Sequence, residues 1–187
     1  MGRVGRGESE ALNGVLKSVF RQRRPKQAGA RLYAAAVAQA RQPAFYTALG
    51  VADTVEGRFE LYSLHVLLLV RRLKGEGPEA AETAQALFDL FVSNLDHALR
   101  ELGVGDLTVP KRMRKLGEAV YGRALSYEAA LADAGDLEAV VGRTVFEGSG
   151  ADAAAMAAYV RACDEALASQ DLATILEGVA TWPEIPA

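Results

Sequence analysis

The chain has 187 residues, of which 50% are hydrophobic and 24% charged, and its formal net charge is −3. This composition excludes a disordered chain and predicts one domain, because two domains would divide the apolar core between them. A sequence pI near 5.5 excludes a generally basic nucleic-acid binder, so no nucleic-acid partner is expected.

The charges are distributed unevenly along the chain. Residues 1–31 hold eight basic and two acidic side chains, whereas residues 128–187 hold two basic and eleven acidic ones. Such polarity predicts a basic region at one end, which would attract an acidic partner or an anionic membrane surface.

The sequence gives no sign of export or of a membrane span. It has no N-terminal apolar segment typical of a secretory signal, and its single cysteine, Cys163, cannot form an internal disulfide. The longest apolar stretch, residues 61–70, is half of the roughly 20 residues that a transmembrane helix needs. The expected location is cytoplasmic, with peripheral association at the inner membrane as the alternative.

Apolar residues in the first third recur at helical spacing. Residues 1–24 are predicted to form an amphipathic basic helix that ends at Pro25, with the apolar face Leu12, Val15, Leu16, Val19 and Phe20. A second helix carries Tyr33 and stops before Pro43, which opens a short helix through Leu49.

The next helix is predicted to lie at the centre of the fold. Residues 53–56, Asp-Thr-Val-Glu, resemble a capping box with Asp53 as the N-cap. The helix that follows reaches about Lys74 and is apolar on nearly every side, which is typical of a central helix in a bundle. We expect Gly57 in this helix and Gly122 in a later one to permit close helix-to-helix approach, beside Arg58 and Arg123.

Two long helices follow, separated by a glycine-containing loop. Pro78 begins the first and Gly103 ends it, while Thr108 and Pro110 open the second. Their predicted buried faces comprise Ala84, Leu87, Phe88, Phe91, Leu95, Ala98, Leu99 and Leu102, then Met113, Leu116, Val120, Tyr121, Ala124 and Leu131.

The acidic third continues the helical pattern. Asp136 is predicted to cap a helix that residues 148–150, Gly-Ser-Gly, bring to an end. A helix with a buried Cys163 follows, and a last one extends from Leu172 to Val179. Together the patterns predict an all-α, single-domain bundle of about seven to eight helices around a central apolar helix.

No pattern of catalytic or ligand-binding residues emerges. The only histidines, His65 and His97, lack the spacings of a helical metal site, and no phosphate-binding glycine loop is present. His65 fits a hydrogen-bonded core residue, and Cys163 a structural one. We therefore expect no catalytic residue, no cofactor and no metal site.

A cluster of basic residues stands where the helix dipole disfavours it. Lys111, Arg112, Arg114 and Lys115 occupy the first two turns of a predicted helix, the end at which the dipole is already positive. One interpretation is a solvated face that Asp106 and Glu118 partly neutralise. The other is a surface that binds an anionic or acidic partner.

Several uncommon short motifs occur together, in order, between residues 32 and 131. They are Arg-Gln-Pro-Ala-Phe-Tyr at 41–46, Asp-Thr-Val-Glu-Gly-Arg-Phe-Glu at 53–60, Leu-His-Val at 64–66, Leu-Arg-Glu-Leu-Gly-Val-Gly-Asp at 99–106, Val-Pro-Lys-Arg-Met at 109–113 and Tyr-Gly-Arg at 121–123. In these motifs the chain resembles the ubiquinol–cytochrome c chaperone family. The resemblance implies a non-enzymatic factor in assembly of the respiratory cytochrome bc complex, whose client is newly made cytochrome b or an early intermediate of the complex. Mitochondrial members of the family act near the ribosome and inner membrane, and this chain is more similar to the bacterial members.

The helical periodicity, the charge distribution and the resemblance together suggest an organisation and a set of site residues. Residues 1–24 form the basic helix and residues 25–187 one helical chaperone domain, with a family-like core at 32–131 and an acidic part at 132–187. Family residues and the basic helix start together give this partner-binding hypothesis: Asp53, Arg58, Arg100, Asp106, Lys111, Arg112, Arg114, Lys115 and Arg123.

Three functional hypotheses follow. The first is an assembly chaperone, which needs an exposed apolar groove rimmed by polar residues to hold an unfinished membrane protein. The second is a peripheral protein that binds lipid head groups through the N-terminal amphipathic helix. The third is an enzyme whose Asp53, Arg58, His65, Arg100 and Asp106 converge in one pocket.

Overall fold

The computed structural model of the chain describes residues 5–132, 136–147 and 153–186, with side chains from residue 23 onward. Those ranges contain eight helices and no strand, as the sequence predicts. The helices are α1 (Gly5–Ala40), α2 (Ala44–Thr47), α3 (Val55–Leu73), α4 (Pro78–Glu101), α5 (Val109–Ala132), α6 (Leu137–Thr144), α7 (Ala153–Ser169) and α8 (Leu172–Leu176).

Helix α3 lies at the centre of the bundle. It packs against α1, α4, α5 and α7, and its buried residues include Leu61, Leu64, Leu68 and Leu69. Burying one leucine fully stabilises the fold by about 1.5–3 kcal/mol. Because α3 buries side chains toward several neighbours, it has no polar face, which confirms the predicted central helix.

Helix α1 passes through Pro25, so the predicted end of the first helix before this residue is wrong. Pro25 cannot donate a backbone hydrogen bond, which normally favours a break. Here, however, Pro25 is buried and α1 packs closely along α4. A Cβ atom on Gly29 would lie 2.8 Å from the Leu87 nitrogen and 2.9 Å from the Ala86 Cβ. Tertiary packing therefore outweighs the local preference for a break.

The start of α3 differs in detail from the predicted capping box. The N-cap is Thr54, whose hydroxyl accepts a hydrogen bond from the Gly57 amide at 3.1 Å. In a capping box the Glu56 side chain would accept a hydrogen bond from the N-cap amide. Here the Thr54 amide donates to the Ala52 carbonyl instead, at 2.9 Å. Asp53, predicted as the N-cap, pairs with Arg58 instead.

The two glycines predicted to permit close helix packing behave differently. A Cβ on Gly57 would overlap the Ala52 carbonyl oxygen, which belongs to the preceding loop and not to another helix. A Cβ on Gly122 would meet nothing within 4 Å. The close helix-to-helix approach is made at Gly29, which the sequence pattern did not identify.

Helices α4 and α5 extend beyond the buried core as a helical hairpin. Among residues 92–119, which we call the exposed hairpin, only Val109 is buried. The part of α4 beyond Phe91 spans about 15 Å at the rise of an α-helix. Leu102 and Tyr121, predicted to be buried, are 61% and 68% exposed, because no third helix covers this part of the pair.

The acidic third completes the core. Asp136 caps α6 by accepting from the Ala139 amide at 2.8 Å, as predicted. The predicted glycine end of that helix, residues 148–150, lies outside the described residues. Helix α8 ends at Leu176 rather than at Val179, because Gly178 adopts a positive φ of 87°.

A segment without helix then returns across the bundle. The Gln170 side chain makes two hydrogen bonds with the main chain of Thr181, at 2.8 and 2.9 Å. Arg31 donates to the Glu177 carbonyl at 3.1 Å, and the Trp182 ring packs on His65 at 5.0 Å. These contacts fasten the segment to α1, α3 and α7.

Candidate functional site

The nine residues of the partner-binding hypothesis fall into separate parts of the structure. Asp53 and Arg58 lie at the start of α3 and form an ion pair of 2.7 Å, with both side chains about half exposed. The Arg58 guanidinium also lies 5.8 Å from the centre of the Tyr46 ring. Nearby, Arg41 donates to the Tyr62 hydroxyl at 2.9 Å. Side chains from the motifs at 41–46 and 53–60 thus lie together in one surface of arginine and tyrosine residues.

Arg123 faces into the protein. Its guanidinium makes two hydrogen bonds to the carboxylate of Glu60, one of 2.6 Å from Nε, and lies 5.6 Å from the centre of the Phe59 ring. Glu60 is only 7% exposed. Burial raises the pKa of Glu60, and the pairing with Arg123 opposes that rise. This pair joins α3 to α5 and thereby sets the position of α5.

Arg100 and Asp106 close the turn between α4 and α5. Arg100 donates to Asp106 across the loop and to Asp96, one turn earlier on α4, at 2.7 Å. The pKa of Asp96 is lowered by its hydrogen bond from Arg100. Both acids are therefore engaged by the same guanidinium, which leaves them little capacity to neutralise the basic residues of α5.

The four basic residues at the start of α5 are all exposed. No acidic residue occupies the first turn of this helix. Within the described residues, the ion pair found for this cluster joins Arg114 to Glu118 at 3.7 Å, with both side chains at least 70% exposed. Lys111, Arg112 and Lys115 make no ion pair within the described chain, so the cluster keeps its positive charge.

The outer side of α5 carries an exposed apolar strip. Tyr121 is 68% and Leu125 51% exposed, and with Ala124 and Glu128 they share one face of the helix by spacing. The strip borders a narrow apolar cleft between α3 and α5, which Leu64, Leu67, Leu68, Val70, Ala124 and Leu131 line. Arg71, Lys74 and Glu128 stand at its rim, and Lys74 pairs with Glu128. An apolar surface with a polar rim is what the chaperone hypothesis requires.

His65 is a buried core residue, as the sequence indicates. Its Nδ1 donates to the Leu61 carbonyl at 2.7 Å, so Nε2 accepts from the Tyr159 hydroxyl at 2.9 Å. Tyr159 accepts in turn from Gln39 at 2.9 Å. Burial lowers the pKa of His65 to about 4.

The pocket required by the enzyme hypothesis does not form among the described residues. Asp53 pairs with Arg58, Arg100 pairs with Asp106, and His65 bonds within the core, with no hydrogen bond or ion pair joining the three groups. In the same part of the chain, no group of three His, Cys, Asp or Glu side chains could hold a metal ion. No described helix is long and apolar enough to cross a membrane.

An all-helical domain with an exposed apolar strip and an exposed cationic cluster has the form of a protein that binds other macromolecules. Comparisons with known proteins agree with this class. A family model described as "Ubiquinol-cytochrome C chaperone" matches residues 47–182. The chain therefore belongs to the ubiquinol–cytochrome c chaperone family.

A solved structure gives the same result. The crystal structure of a Cbp3 homolog from Brucella abortus is 37% identical in sequence and has a TM-score of 0.81, with coverage of 91% of this chain and 97% of that one. No curated protein matches the chain. The family match extends through the acidic third, where the sequence motifs gave no resemblance.

Sequence reasoning missed the features that depend on tertiary position. Tyr121 was expected in the core, and Leu125 was not singled out, although a leucine and a tyrosine four residues apart share a face. The sequence did not indicate a role for Glu60 beyond its place in the motif at 53–60. Only the contact between α3 and α5 reveals that it holds Arg123.

Proposed function

We propose that this protein is an assembly chaperone for the ubiquinol–cytochrome c reductase complex, and that it binds newly made cytochrome b or an early intermediate. Family membership supports the role. The observation that carries the client-binding part is the apolar strip of α5, Tyr121 and Leu125, beside the cleft between α3 and α5.

The geometry suits an apolar segment of a membrane protein. Tyr121 and Leu125 offer a surface that such a segment covers, while the narrow cleft accepts one aliphatic side chain between the two helices. The rim residues Arg71, Lys74 and Glu128 keep the empty surface hydrated. Because the cleft is small, binding depends on the position of α5, which the Arg123–Glu60 pair holds.

The residues of the earlier partner-binding hypothesis then divide by role. Arg123 and Glu60 position α5, and Arg100 with Asp106 shapes the hairpin turn. Asp53 and Arg58 form the exposed pair beside Tyr46, which we propose as a polar contact at the edge of the client. Arginine and tyrosine are enriched in protein interfaces, which supports that assignment.

Cell-free synthesis of cytochrome b in the presence of the tagged full-length protein tests the proposal. We expect cytochrome b to be captured, and an unrelated membrane protein made in the same reaction to be captured much less. Tyr121→Glu and Leu125→Glu should each lower capture at least tenfold, since a carboxylate on the strip must lose its water when the client binds.

A matched control uses Val179, which is 49% exposed and lies in the C-terminal segment. Val179→Glu adds the same charge at similar exposure and should leave capture unchanged. Absence of cytochrome b from the captured material would overturn the proposed function. Equal losses in Leu125→Glu and Val179→Glu would instead refute the assignment to α5.

A further inference from the structure

The tip of the exposed hairpin presents leucine side chains to water. Leu107 is 99% exposed and Leu102 is 61% exposed, and both belong to the connection between α4 and α5. A single exposed leucine is common on protein surfaces and needs no explanation. The informative feature is that Leu102 and Leu107 lie together in one short connection, next to a cluster of basic residues.

The same tip carries uncompensated positive charge. Between Leu107 and Gly117 there are four basic residues and no acidic one. Asp106, which precedes this stretch, is held by Arg100, and Glu118, which follows it, lies 3.7 Å from Arg114. Glu101, the last residue of α4, and Asp106 are the exposed acids that precede this stretch. Exposed leucines and free cations thus occupy one end of one hairpin.

We propose that this tip, residues 102–115, docks on an anionic phospholipid surface. Leu102 and Leu107 enter the zone between head groups and acyl chains, while Lys111, Arg112, Arg114 and Lys115 meet the lipid phosphates. An apolar insertion together with a basic patch is the combination that gives a peripheral protein stable membrane attachment, since either signal alone binds weakly.

The shape of the region favours a membrane over a protein partner. Leu107 is not set in a groove that could receive a complementary side chain, and the residues around it are almost all exposed. A lipid interface needs no such complementarity, because head groups rearrange around an inserted side chain. The inference does not rest on cytochrome b being the client. It does place the α5 strip near a membrane, since Tyr121 lies ten residues beyond Lys111, or about 15 Å along the helix.

Flotation of the full-length protein with lipid vesicles tests the proposal. We expect binding to vesicles of phosphatidylcholine with phosphatidylglycerol, weak binding to phosphatidylcholine alone, and loss of binding as salt rises. Neutralising one cation should weaken binding about fivefold, the equivalent of about 1 kcal/mol. The double variant Arg112→Gln/Lys115→Gln should therefore bind about 25-fold more weakly.

The leucine part of the proposal has its own variants. Leu107→Asn removes the insertion without touching the core and should weaken vesicle binding about tenfold, the equivalent of about 1.4 kcal/mol. Leu107→Trp should keep binding, and its fluorescence should shift to the blue with anionic vesicles. Val179→Asn, an exposed apolar residue elsewhere, should bind as the wild type does.

The charge control is Lys26→Gln/Arg143→Gln, which removes two exposed cations outside the hairpin and has the same net charge as the hairpin double variant. It should retain binding. The proposal is overturned if no vesicles bind, if binding ignores lipid charge, or if both double variants lose it equally. Loss with Lys17→Gln/Arg21→Gln alone would assign attachment to the N-terminal helix instead. Tip variants that lower cytochrome b capture in detergent but keep vesicle binding would show a protein contact.

Discussion

The Tyr159 hydroxyl donates a hydrogen bond of 2.9 Å to Nε2 of His65, a residue on another helix and 94 positions earlier in the chain. This bond exists only while the imidazole is neutral, since a protonated ring has no acceptor. Burial, which lowers the pKa of His65 to about 4, keeps the ring neutral in the folded protein. The central helix is therefore joined to α7 by a pH-dependent contact.

We expect the free energy of unfolding to fall as pH decreases from about 6.5 to about 4. In the unfolded chain His65 has an ordinary pKa near 6.5, so acid favours unfolding until the folded-state pKa is reached. A difference of that size corresponds to about 3 kcal/mol. Urea unfolding at several pH values should show this dependence, and His65→Gln should reduce it. An identical pH profile in the variant would contradict the assignment.

The buried ion pair between Glu60 and Arg123 gives a second prediction. Replacing Arg123 with Met leaves the Glu60 carboxylate without its partner, and we expect a loss of about 3 kcal/mol of unfolding free energy. The double variant Glu60→Gln/Arg123→Met should lose less, because no charge is then left buried. A double-mutant cycle by urea unfolding measures the coupling; purely additive losses would refute it.

Two glycines in helices should respond oppositely to the same substitution. Gly57→Ala places a methyl group against the Ala52 carbonyl and should destabilise the fold, by about 1–3 kcal/mol. Gly122→Ala meets open space and should stabilise it by about 0.5–1 kcal/mol through helix propensity. Thermal unfolding followed by circular dichroism compares the two variants directly. A lower Tm for Gly122→Ala would show a packing role for that glycine.

Cys163 should react slowly with thiol reagents. It is buried, and desolvation raises the pKa of its thiol to about 12, so the reactive thiolate is scarce at neutral pH. Labelling by Ellman's reagent should be slow in the native protein and rapid in urea. Equally rapid labelling in both states would show that α7 opens readily.

Replacing all four basic residues of the α5 start, Lys111, Arg112, Arg114 and Lys115, with Gln should leave the fold intact. We expect an equal or slightly higher Tm, because the substitution removes cations from the positive end of a helix dipole. The variant should also show weaker dependence of vesicle binding on salt. A lower Tm would mean that these cations make stabilising contacts within the protein.

The fold was predictable because its helices follow strong local patterns. The apolar sequence around Leu64 and Leu68 required a central helix, and Asp136 and Pro78 marked helix starts correctly. Pro25 led to the wrong prediction of a helix end, because packing of α1 against α4 outweighs the tendency of proline to break a helix. Asp53 was wrongly predicted as the N-cap of α3, because its carboxylate pairs with Arg58 instead.

The candidate sites were only partly predictable. The basic cluster at the α5 start could be read from the sequence, because its position against the helix dipole is a local property. The exposure of Tyr121 could not be predicted from the sequence. An apolar residue at helical spacing gives the same pattern whether or not another helix covers it. The missing information is which helix ends extend beyond the core.

The segment held by Gln170 has a consequence for the order of events during synthesis. Arg31 in α1 bonds to Glu177, 146 residues later, and Trp182 completes the ring cluster around His65. Before residue 182 leaves the ribosome, the Trp182 ring cannot pack on His65, so the ring cluster of the core is incomplete. We expect a chain that stops short of Trp182 to be more sensitive to proteases than the 187-residue chain.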